Sequence, residues 1–172
     1  MSSDTNAKNP FVLEEGIAWR GLLAVHLRVL GALDKELVRR HNMPVREFDV
    51  LITLFRAPYR RLRMSELAER VLLSPSGLTR MTERLEREGW VERRVDPDDA
   101  RSYHATLTDI GTRRLAEARV THNTVIRTLF LDRLAAGELR ELGAIWKNVL
   151  QGHACLLDDA EGQPVEGASG VP

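Results

Sequence analysis

Apolar residues in the first quarter of the chain recur at spacings of three and four, the period of an amphipathic helix. No proline interrupts the stretch from about Phe11 to Arg40. The apolar stripe consists of Leu23, Leu27, Leu30, Leu33 and Leu37, with Trp19, Leu22 and Val29 beside it. This pattern predicts a helix about 45 Å long, at roughly 1.5 Å per residue, that ends near His41, Asn42 and Pro44. Because its apolar face is wide for one neighbour, we expect it to pack against a second subunit.

Three shorter helices are predicted next. The first stops at Ala57-Pro58 and has four apolar residues on one face, Phe48, Leu51, Ile52 and Phe55. Ser65 is expected to cap a helix over residues 66–71. The third begins with Ser74 as its N-cap, followed by Pro75, and stops at Gly89. Its buried face is expected to carry Leu78, Met81 and Leu85. Two short helices joined by so few residues are typical of a helix-turn-helix.

Directly after Gly89 the apolar period changes from that of a helix to that of a strand. Residues 90–95 and 103–107 both alternate, and the segment 96–102 between them is rich in turn formers. This pattern predicts a β-hairpin with a polar, arginine-bearing tip, called the wing below.

Two closing helices are predicted after the wing, one capped by Thr108 and running from Asp109 to about Leu134, the other from Glu138 to about Leu157. Gly137 is expected to interrupt them. The fold is therefore expected to be mainly α with a small β-hairpin wing, a winged helix-turn-helix between long dimerisation helices. The expected segments are a disordered arm, an N-terminal dimerisation helix, the winged helix-turn-helix, C-terminal dimerisation helices and a disordered tail, at residues 1–10, 11–44, 45–110, 111–157 and 158–172.

The composition indicates in which compartment of the cell the protein acts. The chain has 172 residues, of which 43% are hydrophobic and 29% charged, and its N-terminus lacks the apolar stretch of a secretory signal. No uninterrupted apolar run approaches the roughly 18 residues that suggest a membrane span. We therefore expect a cytoplasmic protein with no membrane partner and no cofactor. The single Cys155 excludes a disulfide within the chain.

Charge by itself says little about partners, because the formal net charge is zero. Between Arg56 and Arg101 there are eleven arginines and nine acidic residues, an excess of two positive charges. Every cation in this stretch is arginine, whose planar fork suits phosphates and guanine edges. Arg60, Arg61 and Arg63 are expected either to contact phosphates or to be solvated in a loop.

The order of these motifs resembles the MarR family of bacterial transcriptional regulators over about residues 11–155. The motifs that carry the resemblance are Met64-Ser65-Glu66-Leu67-Ala68, Leu73-Ser74-Pro75-Ser76-Gly77-Leu78-Thr79-Arg80, Arg84-Leu85-Glu86-Arg87-Glu88-Gly89-Trp90-Val91-Glu92-Arg93, Asp99-Ala100-Arg101 and Leu107-Thr108-Asp109-Ile110-Gly111. The resemblance implies a homodimer, held by the first helix and the last two, on a near-palindromic operator in double-stranded DNA. Half-sites one helical turn apart would be centred about 10 base pairs apart, or a small multiple of that.

The expected DNA contacts lie on the second helix of the helix-turn-helix and on the wing. They are Ser76, Thr79, Arg80, Arg84, Arg93 and Arg101. Arg80 can read guanine O6 and N7 with two parallel hydrogen bonds. Arg84 is expected to meet phosphate, with an ion pair to Glu88 as the alternative. Arg93 and Arg94 alternate, so that at most one of them points toward DNA.

The wing tip is expected to enter the minor groove through Arg101, because narrow A·T-rich grooves attract arginine. The family pattern places Asp99 where its carboxylate would hold the Arg101 guanidinium. Removing Asp99 should therefore weaken DNA binding although it removes a negative charge.

A small-molecule effector is implied by the same resemblance, commonly an aromatic or phenolic anion that releases the DNA. Trp19, Asp49 and Arg94 resemble the Trp/Asp/Arg set of the urate-responsive branch, and His26 could line the same pocket. The alternative interpretations are that Trp19 is simple core and that Asp49 pairs with a nearby arginine.

Other inputs and functions have weaker support in the sequence. Cys155 and His153 could serve redox or metal sensing, but two ligands without a third or fourth make a poor metal site. A winged helix can also be a protein-interaction module, which only the neutral net charge favours. No nucleophile, metal or phosphate-binding constellation indicates an enzyme.

Overall fold

The computed structural model describes residues 11–96 and 102–151. The helices in that part of the chain are α1 (Leu13–His41), α2 (Val45–Arg56), α3 (Met64–Arg70), α4 (Pro75–Arg87), α5 (Asp109–Leu129) and α6 (Ala136–Val149). The strands are β1 (Arg61–Arg63), β2 (Val91–Val95) and β3 (Tyr103–Leu107), and short 3₁₀ turns span Pro58–Arg60 and Leu131–Arg133. The expected fold class, mainly α with a small β-sheet wing, is confirmed.

Local signals in the sequence fix several helix ends. Asn42 ends α1 in the left-handed conformation, with φ of 50°. The Ser74 hydroxyl accepts a hydrogen bond from the Gly77 amide at 3.2 Å, and Pro75 follows at the first helical position. The Thr108 hydroxyl caps α5 in the same way, accepting from the Gly111 amide at 3.0 Å. These predicted caps are confirmed.

Two predicted ends are wrong. Helix α3 begins at Met64, so Ser65 lies inside its first turn and makes no cap. The interruption between α5 and α6 falls at residues 130–135, where a 3₁₀ turn follows Phe130, whereas Gly137 lies within α6. Glycine lowers helix propensity without preventing a helix, and here the neighbouring sequence decides the break.

The sheet has one strand more than the predicted hairpin. Its order is β1-β3-β2, all antiparallel, with Leu62 opposite Ala105 and Arg93 opposite the same Ala105. Arg61 and Arg63 are thus strand residues, which corrects their expected place in a loop. Since residues directly opposite each other share a face, Leu62, Ala105 and Arg93 point to one side of the sheet. That side faces the helices, because Leu62 and Ala105 are buried.

The core lies between α2, the helix-turn-helix and the first half of α5. Its fully buried side chains include Leu37, Leu51, Leu54, Leu67, Leu78, Leu85 and Leu115. Buried area of this kind contributes about 25 cal/mol per Å² and stabilises the arrangement of α3 and α4 against α2. The core therefore sets the position of the elements that carry the predicted DNA contacts.

The two ends of the described chain remain outside this core. Most of the N-terminal half of α1 is exposed, including Trp19 and Leu27 at 51% and 70%, and α6 has no buried residue. By length and composition α1 could cross a membrane, with 11% of the relevant window buried. A single helix of this kind is weak evidence for a membrane span, since helices of soluble proteins pass the same test.

Several predicted features fall outside the described residues. They are the N-terminal arm at residues 1–10, the wing tip with Asp99 and Arg101, the end of the last helix with His153 and Cys155, and the tail at residues 158–172.

Candidate nucleic-acid interface

Helices α3 and α4 form the helix-turn-helix, and the turn between them contains Leu72 in the left-handed region, with φ of 52°. Helix α4 turns Leu78, Thr82 and Leu85 inward, all with zero exposure. Thr82 was not predicted on that face. Its hydroxyl donates to the Leu78 carbonyl at 3.0 Å, which satisfies the buried polar group. The inward face leaves the opposite side of α4 free to meet a partner.

The predicted contact residues Ser76, Thr79 and Arg80 are all exposed, in the first half of α4. Thr79 donates its hydroxyl to the Pro75 carbonyl at 2.9 Å, which holds the side chain against the helix. Within the described ranges, Arg80 has neither an ion pair nor a side-chain hydrogen bond. Its guanidinium therefore keeps its full set of donors for an external acceptor.

Arg84 has a different environment from the expected one. One of its terminal nitrogens lies 3.0 Å from the Glu47 carboxylate on α2, and the other donates to the Asn42 carbonyl at 3.1 Å. The alternative ion pair with Glu88 is not the one formed. Glu47 is 4% exposed, and burial raises the pKa of its carboxyl while the Arg84 charge lowers it. Arg84 thus connects α4 to the junction of α1 and α2.

Arg93 and Arg94 point to opposite faces of the wing, as the strand period predicts. The Arg93 guanidinium pairs with Glu86 on α4 at 2.8 Å, on the helix side of the sheet. Arg94 pairs with Glu92 at 2.9 Å on the outer side. Of the two, only Arg93 lies beside the helix-turn-helix.

A cavity of about 380 Å³ separates α4 from the wing. Its lining brings together the predicted contacts Thr79 and Arg93 with residues from β1, α3 and β3, namely Arg63, Met64, Ser65, Ser102 and Tyr103. The wing and α4 therefore border one polar concave surface.

The sequence did not predict a buried acidic residue at the tip-side end of β2. Asp96 is 2% exposed, and its carboxylate lies 2.9 Å from Nε of Arg63 and 3.6 Å from Nδ1 of His104. In the sequence, Asp96 looked like one of several turn formers. Its partners lie on the other two strands, so that local sequence contains no signal of the cluster.

The predicted effector residues are not gathered in one described cavity. Arg94 lines a cavity of about 550 Å³ on the outer face of the sheet, together with Tyr59, Arg61, Glu92, Val95, His104 and Thr106. Trp19 and His26 lie exposed on α1. Asp49 is half-buried on α2, and burial raises its pKa to about 6 against the lowering charge of Arg46.

Metal chemistry has no support in residues 11–96 and 102–151, where no three His, Cys, Asp or Glu side chains could share an ion.

Known proteins are similar to this chain in sequence and fold. The model of the MarR family matches residues 43–103. The HTH-type transcriptional regulator PecS of Dickeya dadantii is 32% identical over 134 residues, which are 75% of this chain and 80% of PecS. The chain belongs to the MarR family.

Solved structures of this family superpose on the chain. Sco3205 of Streptomyces coelicolor, a MarR family regulator solved in complex with DNA, has a TM-score of 0.78 and 32% identity, covering 95% of this chain and 97% of Sco3205. A mutant of E. coli MarR complexed with operator DNA has a TM-score of 0.68 and 26% identity, covering 82% of this chain and 99% of MarR. The matched family segment in this MarR-family chain includes the whole helix-turn-helix and strand β2, and it ends at the first residue of β3. Its relatives are transcriptional regulators, which agrees with the expectation that the chain is not an enzyme.

Proposed function

We propose that this MarR-family chain is a homodimeric regulator that binds double-stranded DNA sequence-specifically and represses transcription in the cytoplasm. The observation that carries the proposal is the exposed first half of α4, where Ser76, Thr79 and the unpaired Arg80 project beside an arginine-bearing wing. The DNA complexes of Sco3205 and E. coli MarR support it, since both proteins share this fold.

In this proposal α4 is the recognition helix in the major groove. Arg80 donates two parallel hydrogen bonds to a guanine, while Ser76 and Thr79 contact bases or phosphates near the helix N-terminus. The wing reaches the adjacent minor groove through Arg101, with Asp99 holding its guanidinium. Arg84 has two of its five donors engaged by Glu47 and Asn42, and the remaining donors are left for a phosphate. Arg93 remains a candidate contact, with Glu86 as its partner in the free protein.

Dimerisation is supported by the apolar surface that α1 and α6 leave uncovered. Leu13, Ile17, Leu23 and Leu27 of α1 are all exposed, as are Ile145 and Val149 of α6. Large apolar side chains exposed in this number on two helices are typical of a protein interface. A two-fold dimer would present two α4 helices to the two halves of a near-palindromic operator, centred about 10 base pairs or a small multiple apart.

We also propose that a small aromatic or anionic effector releases the DNA. Trp19 offers an exposed indole for stacking, and Asp49 is a half-buried carboxyl with its pKa raised to about 6. His26 lies on the same helix as Trp19, whereas Arg94 belongs to the outer face of the wing. A thermal-shift screen of aromatic acids and purines, with Trp19→Phe as the variant, tests this part. A stabilising compound whose effect is equal in parent and variant would remove Trp19 from the site.

The DNA proposal is tested by selecting duplexes from a random-sequence library and measuring their affinity at several salt concentrations. We expect selection of a near-palindrome and a steep fall of affinity with salt, because phosphate contacts release counterions. Failure to bind any duplex at low salt would contradict the proposal and favour a protein-interaction module. Oxidant- or zinc-dependent release would instead favour the redox or metal alternative.

A further inference from the structure

The tip-side end of the wing strands contains a buried ionic cluster that joins all three strands. Asp96 directly follows β2, and its backbone amide donates to the Ser102 carbonyl at 2.9 Å, just before β3. Its carboxylate lies 2.9 Å from Nε of Arg63, at the end of β1. His104 of β3 approaches the same carboxylate oxygen, with Nδ1 at 3.6 Å. One side chain therefore contacts both other strands at the point where β2 ends and the wing tip begins.

Arg63 connects this cluster to the helix-turn-helix. Arg63 is the last residue of β1 and the N-cap residue of α3, the first helix of the helix-turn-helix. Strand β1 has only three residues, so its pairing with β3 is short. The bond from Arg63 to Asp96 adds a direct link between the helix-turn-helix and the end of β2. Helix α4 is linked to the same strand by the pair Arg93–Glu86 at 2.8 Å.

A buried carboxylate by itself contributes little to the stability of the fold. Taking its charge out of water costs free energy, which one ion pair often only offsets, and an apolar residue of similar size can do as well. The side chain of Asp96 is 1% exposed, while that of Arg63 is 53% exposed. What the carboxylate provides in return is a fixed link: its oxygen forms an ion pair with Arg63 without a hydrogen bond, and this pair ties the end of β2 to the start of α3.

We infer that Asp96 is a positioning residue for DNA binding, holding the wing at a fixed angle to the helix-turn-helix so that both engage the duplex together. This inference rests on the proposed function, and it assigns no DNA contact to Asp96 itself. Misplacing the wing by about 1 Å would separate it from the minor groove while α4 remains in the major groove.

The direction in which the DNA affinity changes when Asp96 is replaced distinguishes a positioning role from a purely electrostatic one. Removing a negative charge from a DNA-binding domain strengthens its nonspecific attraction to phosphate. Positioning predicts the opposite for a specific site. We expect Asp96→Asn, which keeps the shape and removes the charge, to lower the affinity for the selected duplex by about tenfold. The control is Glu92→Gln, which removes one carboxylate from the outer face of the same hairpin.

Dimethyl sulfate footprinting of the bound duplex reads both grooves at once, because it methylates guanine N7 in the major groove and adenine N3 in the minor groove. At saturating protein, Asp96→Asn should keep guanine protection and lose adenine protection beside each half-site. Equal protection in both grooves at parental affinity would overturn the inference.

Hydrogen exchange of the free protein tests the same inference without DNA. Asp96→Asn and Arg63→Met each remove one side of the pair, and both should increase exchange in β2 and β3 while α4 keeps its protection. Arg63 is half-exposed, so this variant remains informative if Asp96→Asn does not fold. Unchanged exchange in β2 and β3 in both variants would overturn the inference even if the parent binds DNA. Failure of the parent to select any duplex would contradict the proposed function and leave the exchange result to decide the role of Asp96 in the wing.

Discussion

The Arg84 guanidinium lies 3.0 Å from the carboxylate of Glu47, and this pair connects helix α4 to α2. A second donor of Arg84 reaches the Asn42 carbonyl, in the residue that ends α1. These two contacts therefore link the α1–α2 junction to the helix that carries Arg80. In a dimer held by α1, they would lie between the interface and the proposed DNA-binding surface.

Arg84→Ala should destabilise the fold. It leaves the Glu47 carboxylate buried without its partner, at a cost of about 1–3 kcal/mol, at the lower end of buried pairs because Arg84 is a third exposed. The measurement is urea unfolding followed by circular dichroism, with Arg80→Ala as the matched control on the same helix. Equal stability of the two variants would show that the pair with Glu47 contributes nothing to folding.

Arg80→Ala should keep the stability of the parent but bind its specific DNA site less tightly. Loss of two hydrogen bonds to a guanine lowers specific affinity by about 1–3 kcal/mol and relaxes the preference at that base pair. Competition binding against duplexes substituted at each position measures both effects. Arg87→Ala removes the same charge from the end of α4. If both variants lost affinity equally for all sequences, Arg80 would act through charge alone.

The contrast between Arg80 and Arg84 shows what the sequence can predict. The buried stripe of α4 follows from its apolar period, and its ends follow from Ser74, Pro75 and Gly89, because these signals act within a few residues. Both arginines lie off that stripe and look equivalent. The partner of Arg84 is 37 positions earlier in the chain, and only the packing of α2 against α4 brings Glu47 to it.

The same distinction applies to the sheet. The hairpin strands β2 and β3 alternate over five residues each, which suffices for a prediction. Strand β1 has three residues and one buried side chain, Leu62, so that no period can be recognised. Its pairing with β3 is a tertiary contact, and the same contact creates the cluster around Asp96.

Asp49 should make stability depend on pH. Its carboxyl has a pKa of about 6 in the folded chain against 3.8 when solvated. The folded state therefore holds its proton to higher pH, and stability falls as pH rises from about 4 to about 6. Asp49→Asn removes this fall and should raise stability at pH 7 by up to about 3 kcal/mol.

Urea unfolding of parent and Asp49→Asn between pH 4 and pH 8 gives the free energy of unfolding at each pH, and their difference isolates Asp49 from other titrating groups such as His122. Asp109→Asn, at an exposed position, controls for the loss of one carboxylate. A difference that does not vary with pH would contradict the buried, protonated state of Asp49.

Leu27→Glu should separate the dimer. Leu27 is 70% exposed on the apolar part of α1, so a charge there leaves the single chain intact but costs free energy when buried in an interface. Light scattering after size exclusion is expected to give the mass of one chain for this variant and of two for the parent. Affinity for the selected duplex should fall with it. Lys35→Glu, on the polar C-terminal part of α1, is the control, and a dimeric Leu27→Glu would place the interface elsewhere.

Gly111 is required by a close approach between α5 and the wing. A Cβ at this position would overlap the Trp90 carbonyl oxygen and crowd the side chain of Leu107. The Trp90 oxygen is already fixed, since it accepts from the Thr108 amide at 3.1 Å. Gly111→Ala should therefore destabilise the fold by about 2–3 kcal/mol and displace the strands from α5.

Gly143→Ala in α6, where a Cβ meets no atom within 4 Å, should instead stabilise the fold by about 0.5–1 kcal/mol through helix propensity. Thermal unfolding of the two variants compares the same substitution in two helices, and a stable Gly111→Ala would show that α5 can move away from the wing without loss.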